Sequence, residues 1–148
     1  MDAGNHCFLS SEVLDPAALE ASLKDPACGA VVVFVGRVRQ EQQGRPVLRL
    51  DYEAHETLAL KELHSVARDA RRRWSLGPLV LAHRVGRLDI GEVAVVAAVA
   101  GPHRDEAFAA CRFLIDAVKA RVPVWKHEFY ADAGEAWIGA PGWEKRPV

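Results

Sequence analysis

Several short segments carry side chains that together could act on an anionic substrate. Gly101-Pro102-His103-Arg104 closes one apolar run and opens an amphipathic one. At such a junction free backbone N–H groups and the positive end of a helix dipole attract anions. Arg104 adds a planar fork of donors suited to phosphate, and His103 can donate a hydrogen bond or a proton near neutral pH. Lys119 follows on the same amphipathic run, roughly 80° around the helix from Cys111, at the margin of the apolar side. Lys126, between Trp125 and His127-Glu128, comes after the break at Pro123. Two amines sharing a pocket depress each other's pKa, which frees one as a base or nucleophile. In Gly36-Arg37-Val38-Arg39 the two arginines share one face of an extended chain, and the glycine either admits a ligand close to the backbone or marks a bulge. Each segment also has a plain reading. His103 and Arg104 would be helix caps beside Asp105 and Glu106, Lys119 a snorkelling surface lysine, and Arg37 and Arg39 solvated strand ends. His83 and Arg84 fall inside an expected strand, and the pattern leaves their role open. What argues for a site is the set of segments taken together.

The elements that must position these groups are legible from periodicity. Asp15-Pro16 reads as an N-cap and first helical residue leading Ala17 to Lys24. Residues 29–38, β-branched and apolar on both faces, read as a strand in the middle of a sheet. Gln40 to Pro46 is expected as a mobile loop, across which residues 29–38 could pair with the alternating strand 48–53. Leu60, Leu63, Ala67, Ala70 and Trp74 mark a helix from Thr57 to Trp74, whose Arg71-Arg72-Arg73 run is expected to solvate its outer face. Residues 79–85 and 93–100 read as strands joined as a hairpin. A second long helix runs from about His103 to Val122, with Phe108, Cys111, Ile115, Val118 and Val122 as its apolar stripe. Trp125 to Tyr130 resumes as a strand, followed by a turn at Ala133-Gly134 and a short return at Trp137-Ile138. Helices and strands mix without a clean βαβ repeat, so the expected class is α+β. Residues 1–148 are expected to form a single domain with a mobile tail at 139–148.

Composition narrows the function. The chain has 148 residues, half of them hydrophobic, and a net charge of −1. That balance disfavours a nucleic-acid binder, which needs a basic excess. Cys7, Cys28 and Cys111 are widely spaced and lack a CxxC pair, so no disulfide framework, zinc site or catalytic thiol is expected. The N-terminus lacks the basic and apolar segments of a secretory signal, and no apolar run approaches a membrane span. The expected location is the cytoplasm.

The ordered set GAVVVFVGRVR (29–39), LDYEAH (50–55), RRRWSLGPLVLAHRVG (71–86), PHR (102–104) and DAVKARVPVWKHE (116–128) resembles the large, catalytic subunits of molybdopterin synthase. The resemblance covers roughly residues 29–138; Gly101 stands where those subunits commonly have serine. It implies an α/β hammerhead-like fold with a mixed, largely antiparallel sheet and two long helices. It also implies a sulfurtransferase that needs neither cofactor nor metal. Sulfur would come from the C-terminal Gly-Gly thiocarboxylate of a small ubiquitin-like carrier and pass to cyclic pyranopterin monophosphate, forming the molybdopterin dithiolene. The large subunit would be a homodimer within a heterotetramer. Carried over by position, Arg37, Val38, Arg39, His103, Arg104, Lys119, Lys126, His127 and Glu128 are implied to contact substrate, with Lys119 and Lys126 as the catalytic pair. From a different class, the same basic groups would suit a non-catalytic phosphate- or nucleotide-binding regulatory module.

Overall fold

The computed structural model describes residues 4–139. Along the chain run β1 (Asn5–Ser10), α1 (Pro16–Ala21), β2 (Ala30–Arg37), β3 (Glu41–Gln42), β4 (Arg45–Ala54) and α2 (Glu56–Arg73). They are followed by β5 (Leu79–Arg84), β6 (Gly86–Asp89), β7 (Val93–Gly101), α3 (Arg104–Arg121), β8 (Val124–Tyr130) and β9 (Glu135–Gly139). The tail expected to be mobile lies, from residue 140 on, outside the described residues.

The α+β class stands, but the strands divide between two sheets. One is ordered β1-β5-β7-β2, with β1 parallel to β5 and the other pairs antiparallel. The second is antiparallel, ordered β3-β4-β8-β9, with β6 also paired to β4. The expected pairing of residues 29–38 with 48–53 therefore does not form, since β2 and β4 belong to different sheets. Nor is β2 central. All nine residues of β7 are buried, so β7 takes the middle of the sheet, while β2 lies at its edge with Val31 and Phe34 39% and 36% exposed. Apolarity on both faces reports dry faces; it says nothing about whether both edges are paired.

The segment expected as a loop is a tight hairpin. Gln42 pairs with Arg45, and the two residues between them, Gln43 and Gly44, have φ of 50° and 79°. Positive φ at both positions matches the right-handed twist of the flanking strands, and Gly44 adopts it without steric cost.

Both long helices cover one face of the first sheet. Ala59, Leu63, Val66, Ala67 and Ala70 of α2, and Ala110, Cys111, Leu114, Ile115 and Val118 of α3, bury against Leu79, Leu81, Val95, Ala97 and Val99. Fully burying a leucine such as Leu63 or Leu114 contributes about 1.5–3 kcal/mol. Phe108, expected in the stripe, is 64% exposed; the buried face is centred on Ala107, Ala110, Leu114 and Ala117 and leaves it outside. Arg121 ties the helices together, with Nη1 donating to Asp69 Oδ2 at 2.7 Å and Nη2 to Ser65 Oγ at 2.8 Å. Of the arginine run, Arg71 is structural rather than merely solvated: it donates to Asn5 Oδ1 at 2.6 Å and to the carbonyls of Leu76 and Gly77. Arg72 pairs with Asp69, and Arg73 lies over the Phe113 ring.

The connection from β5 to β7 does more than turn the chain. Its β6 pairs Leu88 with Leu50 and Gly86 with Tyr52, stitching the first sheet's hairpin into the second sheet. Val38, Leu50, Leu88 and Ala94 close a small core at this seam, with Tyr52 against it.

Candidate active site

A cavity of about 760 Å³ opens beside that seam. Strand alternation builds one wall: Leu50 and Tyr52 of β4 pair with Glu128 and Lys126 of β8, so all four side chains face inward. The C-terminal half of α3 supplies Ile115, Val118 and Lys119, and the segment leaving β2 supplies Arg37, Val38 and Arg39. The six residues between Lys119 and Lys126 carry the chain from α3 through Pro123 into β8, so helix and strand deliver their amines to one space.

Arg37 and Arg39 reach this position through a bulge. Pairing of β2 with β7 shifts register between Gly36 and Arg37. A Cβ on Gly36 would meet Val95 Cγ1 at 2.6 Å, so glycine is required by the close approach of β7. Arg37 Nη1 then donates to the Gly91 carbonyl at 3.0 Å, and Arg39 Nη2 to Gln42 Oε1 at 2.8 Å. Val38 is buried at the seam, its backbone bonded to Glu92 and Gly91.

Charge in the cavity is uneven. Burial pushes the Lys126 amine below the ordinary lysine range; Glu128 opposes that shift, and Lys119 and Arg39 add to it. Glu128 is 2% exposed, and its Oε1 has no hydrogen-bond partner among the described residues. Burial, with the Glu128 charge beside it, pushes the Tyr52 phenol up to about 12, so its hydroxyl stays protonated. His83 also lines the cavity. Burial holds its imidazole down at about 4, so it is neutral at physiological pH.

The remaining expected residues lie elsewhere. His103 and Arg104 open α3 and line a separate cleft with Gly29, Ala30, Pro102 and Asp105. Arg104 stands about 22 Å along the helix from Lys119, at 1.5 Å per residue. There the Glu106 carboxylate accepts from the His103 N–H at 3.0 Å. His127, adjacent to Lys126 on a strand, necessarily points to the other face of its sheet. Its ring lies 4.2 Å from both Phe129 and Trp137, and its Nε2 is 3.5 Å from Glu135 Oε1. Among the lining residues, Tyr52 stands outside the expected set, and His83, whose role the sequence pattern leaves open, borders the cavity. Their signals were present: Tyr52 shares its face with Leu50, and His83 is a titratable group that follows four apolar residues of its strand.

A mixed two-sheet fold with a lysine- and arginine-lined cavity at its seam describes a class of protein suited to a small anionic ligand. Comparison gives the family. The MoaE protein family matches residues 9–121. The molybdopterin synthase catalytic subunit of Nostoc sp. is 43% identical over 127 residues, covering 83% of this chain and 77% of that protein. The molybdopterin synthase catalytic subunit of Drosophila melanogaster is 42% identical over 90% of this chain, which spans 37% of that longer relative. Among solved structures, molybdopterin synthase from Staphylococcus aureus superposes with a TM-score of 0.83 at 34% identity, covering 88% of this chain and 95% of that one. The chain belongs to the MoaE protein family.

Proposed function

We propose that this chain is the catalytic subunit of a molybdopterin synthase: a sulfurtransferase of molybdenum cofactor biosynthesis that converts cyclic pyranopterin monophosphate to the molybdopterin dithiolene in the cytoplasm. The observation that carries this reading is the meeting of Arg37, Arg39, Lys119, Lys126 and Glu128 at one cavity in a member of this family. A catalytic subunit needs a partner, and the sulfur donor would be a small ubiquitin-like carrier whose C-terminal Gly-Gly thiocarboxylate enters the cavity. Lys119 and Lys126 would then polarise the thiocarboxylate and the pterin side-chain carbon under attack, while Arg39 compensates developing negative charge. Glu128 opposes the desolvation of Lys126 and keeps that amine available for charge stabilisation.

His103 and Arg104 are the residues suited to the substrate phosphate, yet they open α3 while Lys119 lies near its end. In our reading a second copy of the chain supplies them, as part of a homodimer within a heterotetramer. His127, on the far face of its sheet, supports β8 rather than reaching the substrate of its own subunit.

The experiment is direct: mix the protein with thiocarboxylated carrier and cyclic pyranopterin monophosphate, and assay dithiolene formation. Product formation is expected. Binding of the pterin without turnover would replace this reading with that of a phosphate-binding regulatory module.

A further inference from the structure

The cavity contains a hydrogen-bonding group that none of the expected site residues accounts for. His83 stands on β5, whose six residues are all buried, and the imidazole residue itself is 8% exposed. Two contacts fix the ring. Nδ1 lies 2.7 Å from the Arg84 carbonyl oxygen, and the Tyr52 ring meets the imidazole edge-on at a centroid distance of 4.8 Å. A carbonyl oxygen only accepts, so Nδ1 carries the proton and Nε2 is left with its lone pair. Among the described residues nothing donates to Nε2, and the ring borders the cavity.

An acceptor of this kind is unusual in its setting. Arg37, Arg39, Lys119 and Lys126 are cationic donors, and Glu41 and Glu128 are carboxylates. His83 is a neutral imidazole acceptor fixed in one tautomer. Protonation, which would turn it into a donor, is opposed first by burial and also by the charge of Lys119. Nε2 is not among the buried atoms that lack a partner, so it is open to the cavity, where a donor on a ligand can reach it.

We propose that His83 is a specificity-determining contact of this cavity, its Nε2 accepting a hydrogen bond from an N–H or O–H group of the bound pterin. The inference rests on the synthase reading above and adds to it a residue outside the basic set. A ligand with an acceptor at that place would face the Nε2 lone pair and be rejected.

Three variants separate this role from a structural one. His83→Phe removes both ring nitrogens and keeps a planar ring. His83→Asn keeps a donor near Nδ1 for the Arg84 carbonyl but withdraws the acceptor from the cavity. His83→Gln places an amide oxygen near the position of Nε2. With saturating thiocarboxylated carrier, kcat/KM for the pterin should fall about tenfold in His83→Phe and His83→Asn, mainly through KM, and recover in His83→Gln. In wild-type protein with ¹⁵N-labelled histidine, the unprotonated Nε2 resonance of His83 should move when the pterin is added without carrier. Wild-type kinetics in a folded His83→Asn, or an Nε2 resonance that pterin leaves unmoved, would overturn the inference while the synthase reading stands. Wild-type protein that makes no dithiolene would overturn both.

Discussion

Lys126 and Glu128 stand on the same face of β8, and the carboxylate is the attraction that restrains the lysine's fall in pKa. Removing that charge has a predictable sign. Glu128→Gln should lower the Lys126 pKa further, because burial and the neighbouring cations Lys119 and Arg39 then act unopposed. An NMR titration of the lysine side chain checks this, and an unchanged midpoint would contradict it. The depressed pKa also enters the stability curve. Between the folded pKa and the ordinary value near 10.4 the unfolded chain binds more protons, so stability should rise with pH across that window.

Lys119→Ala should reduce dithiolene formation at least ~100-fold, the scale of a lost group that acts on the reacting atoms. Lys119 sits at the margin of the buried side of α3, so the variant should fold normally. Single-turnover assays beside circular dichroism test the two halves of this statement. Retained turnover would remove Lys119 from the chemistry.

Arg121 joins α3 to α2 through Asp69 and Ser65, with its Nε 3.4 Å from Glu62 Oε2. Its side chain is 33% exposed, so solvent screens part of the attraction and Arg121→Met should cost about 1 kcal/mol in urea unfolding at pH 7. The Arg121 hydrogen bond holds the Asp69 carboxyl below its ordinary range. That contribution is present above the unfolded carboxylate value and is lost as pH falls through the folded one. Wild type and variant should therefore converge in stability in acid.

Two of the thiols are held away from the thiolate form. Burial pushes Cys111 up to about 11, and burial together with Asp25 raises Cys28. Cys111 Sγ also donates to the Ala97 carbonyl at 3.4 Å, a bond that a serine hydroxyl can replace. A variant with all three cysteines changed to serine should keep its turnover within about threefold, well inside the 10²–10⁴ expected for losing a chemical group. A loss of two orders of magnitude in folded protein would point to a cysteine in sulfur transfer.

Helical and strand periodicity in the sequence located both long helices and most strands, because burial on one side imprints spacing directly. It misplaced β2, since apolar faces carry no record of which edge is paired. It missed β6, whose four residues Gly86 to Asp89 show no alternation and join a sheet far from their chain neighbours. The site was legible to the same degree. Lys119 and Lys126 could be seen flanking a proline break, and their meeting depends on that local reversal. The separation of His103 and Arg104 from them follows from helix length, and the outward turn of His127 from alternation. Tyr52 and His83 converge only through the packing of two sheets, which no local pattern encodes.

The seam formed by β6 has a mechanical consequence. Leu88 and Gly86 pair with the strand that carries Leu50 and Tyr52, while β5, which carries His83, enters the same connection one residue upstream. The two walls of the cavity are thus sewn along a common border, and neither can slide without tearing backbone hydrogen bonds. Arg39 and Gln42, which also line the cavity, meet in a side-chain hydrogen bond that can part and reform at far smaller cost than that backbone ladder.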